Sequence, residues 1–435
     1  MPERILVVSP RYWPENYKIN DICAGFAERG YRVDVISGQP NFPAGQFFDG
    51  YSSYGHNEEK HGKVRILRHF EPKRGSGSGF GIMLNYIVSS FAASRSLRRI
   101  RKRKYSSVLI YQTSPVMACT AGLKAARKKK IPAVIYAVDI WPDSLYRELD
   151  MQSPILRRIF RSISNRKYLA ADEIVTQSRA AEQYFVRELS IHPGRVRCIP
   201  PGPDGNIISD KDDRELLERY YGGFNILVFD EMLDKQDYDT LLESAVLIRD
   251  TGLIDIRMII VCSADASPLK KKISRQGLGD IVFVENRKAA PVAGYYRIAD
   301  AFLSCEKTSA GDEYSFPGDI INYISMAKPV IFAGDGDGRR IVREAGCGKI
   351  CDPEDPGSLY GIIMEMYRAG RAERERMGQA ALRYQQENYS TDACVDALLE
   401  VLFRNVEGSD DEYIINTGTN VIKADDLFEE EDENE

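Results

Sequence analysis

Residues 309–333, SAGDEYSFPGDIINYISMAKPVIFA, decide how the chain is read. A polar loop runs up to Pro317, a short helix follows, and a buried strand opens at Pro329. Proline suits a helix entry because the amide it lacks would have no intrahelical partner there. The strand is a short apolar run without alternation, the pattern of a strand covered on both faces. The same strand–loop–helix unit recurs along most of the chain, which makes this stretch one unit of a parallel α/β sheet.

Toward the amino terminus, residues 4–9 (RILVVS) read as a buried strand followed by the loop PRYWPENYK. Residues 19–29 place Ile22 and Phe26 at helical spacing and stop at Gly30, and residues 33–37 form the next strand. The loop GQPNFPAGQFFDGY comes next, with Asn41, Phe42 and Pro43 just past a strand's carboxyl end, where open α/β sheets bind ligands. His56 and His61 have no spaced acidic or cysteine partner and are read as surface residues. RGSGSGFG (74–81) neither follows a strand nor ends in GKS or GKT, so a flexible hinge is expected rather than a phosphate loop. It leads into IMLNYIVSSFAASRSLRRIRKRK, with seven basic residues in 95–104. Such a helix suits an anionic membrane surface, with Arg95, Arg98, Arg99, Arg101 and Lys102 toward the headgroups. Core packing with a solvated basic end is the alternative.

Strands at 108–111 and 133–138 flank a helix that ends in four basic residues, Arg127 to Lys130. DIWPDS (139–144) then puts two carboxylates, Asp139 and Asp143, at a strand's carboxyl end, with Trp141 and Pro142 stiffening the turn. This is a place for a general base or a hydroxyl acceptor, although Asp143 fits a helix cap equally well. A basic helix (Arg157, Arg158, Arg161, Arg166, Lys167), strands at 173–176 and 196–199, and a helix between them complete the half. PPGPDG (200–205) is the junction.

From residue 224 the pattern restarts: strands at 225–229, 256–261, 281–284, 301–304 and 329–332, with helices at 240–248, 268–275 and 292–298 between them. Helices at 359–368, 372–387 and 391–403 follow. The expected organisation is a doubly wound domain over 1–203, a second over 204–388, a helix at 389–406 near the junction, and a disordered tail over 407–435. That tail holds 12 acids against Lys423 alone. The whole chain of 435 residues has room for two full cores, and 43% apolar with 28% charged residues is ordinary for a soluble protein. Its longest apolar-rich run, 82–93, is too short to span a bilayer and no signal peptide is read, so a cytoplasmic location is expected. The eight cysteines show no ligand spacing, Cys347 and Cys351 being the closest pair, and no metal site is expected. Residues 1–200 carry 33 Lys+Arg against 17 Asp+Glu, a net +16, while the remainder carries 26 against 47, a net −21. The basic half suits an anionic surface.

Taken together, YWPE (12–15), GQPNFPAG (38–45) with Gly50-Tyr51, DIWPDS, ADEIVTQS (171–178) and AKPVI (327–331) resemble the family-4 glycosyltransferases of GT-B fold, in the WbuB-like branch that builds bacterial surface polysaccharides. The resemblance covers about residues 3–405 and implies two Rossmann-like domains facing a cleft. It implies metal-independent, retaining transfer from a nucleotide-sugar co-substrate, with no other cofactor, to a lipid-linked or saccharide acceptor at the inner membrane face. Nucleic acid is not among the expected partners. Tyr12, Glu15, Asn41, Phe42, Pro43 and Trp141 would lie on the acceptor side, with Asp139 and Asp143 catalytic. Lys235, Lys307, Ser315, Phe316, Pro317, Gly318, Asp319 and Asn322 would lie on the donor side.

The donor half departs from the family's pattern. Asp230 and Leu233 stand where the first strand's loop has glycines, Cys262-Ser263-Ala264 replaces a glycine turn, and Glu285 replaces a later glycine. Asp319 stands at the diphosphate lysine, Asn322 at the ribose glutamate, and Pro201 at the junction asparagine. An aspartate among backbone amides adds bulk and the wrong charge for a diphosphate. Lys235, Lys307, Arg339 and Arg340 are candidate substitutes. Two expectations follow: an active glycosyltransferase with an altered donor site, or a non-catalytic homologue that pairs with an active one.

Overall fold

The computed structural model describes residues 2–41, 45–55, 57–72, 79–148, 153–207, 214–286, 292–307, 314 and 316–404. Two compact units emerge, one made of 1–199 with 395–435 and the other of 200–394.

The first unit is an eight-stranded sheet in the order β3-β4-β2-β1-β5-β6-β7-β8. Its strands are β1 (Arg4–Val8), β2 (Arg32–Ser37), β3 (Glu58–His61), β4 (Val64–Arg68), β5 (Ser107–Gln112), β6 (Ala133–Ala137), β7 (Glu173–Thr176) and β8 (Val196–Cys198). All pairings are parallel except β3 with β4. Every residue of β5 and β6 is buried, as unbroken apolar runs require when helices cover both faces. Those helices are α1 (Lys18–Glu28), α2 (Gly79–Ser96), α3 (Cys119–Lys129), α4 (Asp143–Glu148), α5 (Pro154–Leu169) and α6 (Arg179–Arg187). The sheet is pinned at Asp34, buried on β2, whose Oδ2 accepts from Tyr105 at 2.7 Å, Arg103 at 3.2 Å and Arg4 at 3.3 Å.

The second unit is a six-stranded, wholly parallel sheet in the order β11-β10-β9-β12-β13-β14. Its strands are β9 (Phe224–Phe229), β10 (Ile256–Cys262), β11 (Val282–Asn286), β12 (Ala301–Cys305), β13 (Val330–Ala333) and β14 (Gly348–Cys351). Its helices are α7 (Arg214–Arg219), α8 (Tyr238–Asp250), α9 (Ser267–Arg275), α10 (Val292–Ile298), α11 (Gly318–Ser325), α12 (Gly336–Ala345), α13 (Pro356–Arg368) and α14 (Arg371–Asn388). The last helix, α15 (Thr391–Phe403), returns the chain to the first unit, where Val395 fills the space that Gly25 leaves on α1 and Phe403 stacks on Tyr31.

The two doubly wound sheets bear out the expected fold class. Several elements were not read. The β3–β4 hairpin fell inside a presumed loop because β3 is polar, with Glu58 and Lys60 exposed, and sits at the sheet edge. The α12–β14 unit was missed because it opens with the glycine-rich GDGDG, which reads as a turn; α7 was also missed. The basic segment is not one helix: α2 stops at Ser96 and a 3-10 turn covers Leu97–Ile100. His61 is not a free surface group, for its ring stacks on Trp13 at 4.7 Å. Phe42, Pro43, His56, Ser315, residues 74–78 of the glycine-rich hinge and the acidic tail lie outside the described residues.

Candidate functional site

Ligands of open α/β sheets sit beyond the carboxyl ends of the strands, at the switch point where the strand order reverses. In the second unit that point lies between β9 and β12, and the loops leaving both strands are joined there. Cys305 accepts from the Asp237 amide at 2.7 Å, Lys307 donates to the Lys235 carbonyl at 3.2 Å, and Gln236 and Glu306 form a backbone bridge. Beneath the joint sits Asp230, only 1% exposed. Its carboxylate accepts the amides of Asp234 at 3.3 Å, Lys235 at 3.1 Å and Gln236 at 3.1 Å, and the Tyr238 hydroxyl at 3.0 Å. Converging backbone amides of this kind make an anion-binding concavity, and here the anion is the protein's own. Burial and then the Asp230 charge push the Tyr238 hydroxyl up, which keeps it a donor.

The donor-side residues are drawn into this arrangement. Lys235 pairs with Asp319 at 2.9 Å, and the aspartate's charge raises the lysine's pKa. Lys307 donates to the Asp234 carbonyl at 3.0 Å. Asn322, 5% exposed, accepts the Asp204 amide at 2.9 Å and donates to the Asp204 carboxylate at 2.8 Å, tying α11 to the junction loop. Pro317 caps α11 and Gly318 is its first residue, while Phe316 packs toward Tyr389, ring centroids 6.2 Å apart. Arg339 reaches Asp352 and the Cys351 carbonyl, and Arg340 reaches Asp337 and Glu344. Asp204 is the partner that the sequence did not disclose, and Asp230, read there as the wrong charge for a diphosphate, is the loop's own anion.

A second feature lies at the carboxyl ends of β10 and β11, a polar cavity of about 340 Å³ bounded by residues 262–267, Lys270 and residues 284–286. Glu285 is turned to internal use, accepting from Tyr220 at 2.6 Å and Arg219 at 2.9 Å. Lys270 is exposed at the rim and supplies the positive charge.

In the first unit the acceptor-side residues form a brace. Glu15, 3% exposed, accepts the Asn41 amide at 3.0 Å and the Arg11 guanidinium at 3.4 Å, and Arg11 also donates to the Asn41 side chain at 2.5 Å. Tyr12 and Trp141 are fully buried, and Trp141 meets Phe160 edge-on at 5.6 Å, so both support the loops from below. Asp139 accepts from Ser144 at 2.8 Å, closing its own turn, and Asp143 starts α4 while accepting the Tyr184 hydroxyl. The structure thus gives the two carboxylates separate partners. Of the basic residues, Arg99 is committed to the carbonyls of Arg68 and Asn57, while Arg95, Arg98, Arg101 and Lys102 are exposed. Cys347 and Cys351 are both buried, and among the described residues no group of three or more His, Cys, Asp or Glu could hold a metal ion.

With this geometry in view, residues 16–202 match the model of the glycosyl transferase 4-like domain, and residues 224–369 that of the glycosyl transferases group 1. Each unit thus matches a glycosyltransferase domain model over most of its length. No curated protein matches the chain. Among solved structures, sucrose-phosphate synthase from Thermosynechococcus elongatus is similar, with 14% identity, TM-score 0.67, and 92% of this chain and 98% of that one covered. The glycosyltransferase WaaG, involved in lipopolysaccharide biosynthesis, is similar at 13% identity and TM-score 0.60, with 92% and 99% covered. So is HepE from Anabaena in complex with UDP-glucose, at 13% identity and TM-score 0.63, with 92% and 99% covered. At such identity these likenesses bear on the fold, which is GT-B.

Proposed function

We propose that the protein transfers a sugar from a nucleoside-diphosphate sugar to a lipid-linked or saccharide acceptor in the assembly of a bacterial surface polysaccharide such as a capsule, an exopolysaccharide or an O-antigen. The observation that carries this reading is the polar cavity at the carboxyl ends of β10 and β11, within a glycosyltransferase domain and edged by Lys270. A nucleotide can enter this cavity without displacing Asp230, which is not part of its lining. Relatives in fold bear such donors, as HepE does with UDP-glucose. Transfer proceeds with retention and without a metal, as expected of the family the sequence resembles. Calorimetric titration with uridine and guanosine diphosphate sugars tests the reading, and no heat from any of them at millimolar concentration would sink it.

The membrane side of the proposal rests on α2, where Ile87 (53% exposed), Phe91 (71% exposed) and Arg95 recur every fourth residue and so share one helix face. No helix of the described residues is long and apolar enough to cross a membrane. Peripheral docking at the cytoplasmic leaflet fits that face. Binding to anionic vesicles should weaken with salt, and neutralising Arg95, Arg98, Arg101 and Lys102 should abolish it.

A second reading is favoured by one observation, the Asp230 carboxylate held on three loop amides. In that reading the chain keeps the fold, lacks transfer, and pairs with an active glycosyltransferase. Co-purification of such a partner, lost when the basic run or residues 407–435 are deleted, would support it.

A further inference from the structure

The first unit's switch point lies between β1 and β5, and there a cavity remains open beneath α2. Its apolar lining includes Val8, Ile36, Ala93 and Pro115. Its polar lining includes Ser9, Arg11, His69, Glu71, Ser89 and Ser114. His69 and Glu71 are themselves 7% and 5% exposed. The volume, about 40 Å³, decides what fits. A water-sized group needs roughly 10–15 Å³ on this measure, so a pyranose ring is excluded and a branch of two or three heavy atoms is admitted.

The chemistry of the walls narrows the class further. Glu71 accepts from Ser89 at 2.7 Å, and an oxygen of its carboxylate would lie 2.5 Å from a Cβ at position 38, so Gly38 leaves the room the carboxylate occupies. The His69 Nδ1 lies 2.8 Å from the Phe70 carbonyl, which can only accept, so Nδ1 carries the proton and Nε2 remains an acceptor. Burial lowers the imidazole pKa to about 4, which keeps it neutral. Two acceptors, one of them a carboxylate, select a donor, while the Arg11 guanidinium on the same wall is engaged by Glu15 and Asn41. The Ser114 hydroxyl is buried and makes no hydrogen bond among the described residues. It can donate to the oxygen whose proton the acceptors take. A hydroxyl on one apolar carbon meets every one of these conditions.

We propose that this cavity is a specificity pocket for the hydroxymethyl group of a hexopyranoside, with Glu71, His69 and Ser114 recognising its hydroxyl. The proposal rests on the preceding reading only in taking the ligand to be a saccharide. The probes are methyl glycosides paired so that one member lacks the hydroxymethyl group: glucoside with xyloside, mannoside with lyxoside, galactoside with arabinopyranoside. Binding to the full chain is followed by ligand-observed NMR, and UDP-glucose is titrated separately.

In at least one pair the hexoside should bind about tenfold tighter, the size of a hydrogen bond to a charged acceptor. Ser114→Ala should cut that preference severalfold without lowering the melting temperature, because the hydroxyl it removes has no partner among the described residues. Ala93→Leu, which fills the cavity, should abolish the preference. The site is overturned if no hexoside is preferred over its pentoside, or if the preference stays whole in folded Ser114→Ala. A glycoside preference without donor heat sinks only the transfer reading, and donor heat without a preference sinks only this site.

Discussion

At the switch point of the first sheet the carboxylate of Glu71 lines an open cavity, whereas at that of the second the carboxylate of Asp230 is consumed by loop amides. Both groups are buried and both stand past the carboxyl end of a strand, yet Glu71 lines a cavity while Asp230 is held by loop amides. The difference comes from what surrounds each. Glu71 sits over a glycine and below a helix that holds the walls apart. Asp230 sits under two loops whose backbones bond to each other. The chemistry left in the second unit therefore shifts along its sheet, from the β9–β12 joint to the cavity at β10 and β11.

The most severe way to break the comparison is to remove Asp230. Alanine there leaves three amides and the Tyr238 hydroxyl without their acceptor in a buried site. A loss of about 3–5 kcal/mol is expected in urea unfolding, with Asp230→Asn costing less because one acceptor oxygen remains. If Asp230→Ala unfolds like the parent protein, the carboxylate does not hold the loop, and the second switch point is free to take a ligand.

Next in size is a pH effect confined to the first unit. His69 has its pKa depressed to about 4 in the folded protein, chiefly by burial, with Arg68, Arg99 and Arg11 adding repulsion. The unfolded chain binds this proton near pH 6.5 and the folded chain only near 4, so between those values unfolding takes up a proton. The stability associated with His69 is complete above about pH 6.5 and is lost as pH falls toward 4, amounting to about 3 kcal/mol at most. Comparing His69→Gln with the parent between pH 7 and 4.5 isolates it, since the carboxylates contribute equally to both. Parallel pH profiles would mean that the imidazole titrates freely and the pocket is wetter than its burial indicates.

The third test concerns charge at the second switch point. Lys235 is two-thirds exposed, yet its ammonium is paired with Asp319. Asp319→Asn frees that charge for a diphosphate, and uridine diphosphate should bind up to about tenfold more tightly at low salt, with the gain fading as salt is added. An unchanged affinity would place the phosphates away from α11 altogether.

These tests fall on side chains of unequal legibility. The sheets were readable because runs such as ILVF and AVIYA are apolar throughout, and only a doubly covered parallel strand requires that. Asp319 and Asn322 could be singled out from the motif around them, but the partners that explain them could not. Lys235 lies 84 residues from Asp319, and Asp204 lies 118 residues from Asn322, so those pairs exist only once the loops are brought together. Glu71 escaped notice for a different reason. Its meaning depends on following β4, and β4 is paired to a polar edge strand that carries no apolar signal. Asp139 and Asp143 stood out as an acidic pair in a stiff turn, and their bonds to Ser144 and Tyr184 give each a local structural task.

The smallest expected effect tests where the two units are built alike. The α3–β6 and α11–β13 connections both use a left-handed residue two positions before a proline, Lys130 (φ 53°) before Pro132 and Ala327 (φ 54°) before Pro329. Each ends a helix: the Lys130 amide bonds back to α3, and the Ala327 amide to the Ile324 carbonyl. A side chain in this region of backbone space costs roughly 1 kcal/mol, and glycine relieves it, less what the unfolded chain gains in freedom. Ala327→Gly and Lys130→Gly should each raise the melting temperature, by about 2–4 °C for every kcal/mol gained in a domain of this size. The Ala327 carbonyl lies where a Cβ on Gly378 would be 2.0 Å away, so the turn is also fixed from outside by α14, while exposed Lys130 has no such wall. Ala327→Gly should therefore gain at least as much as Lys130→Gly, because the packed turn cannot relax its strain by shifting. The reverse order would mean that α14 yields and that the second unit's turn is the softer of the two.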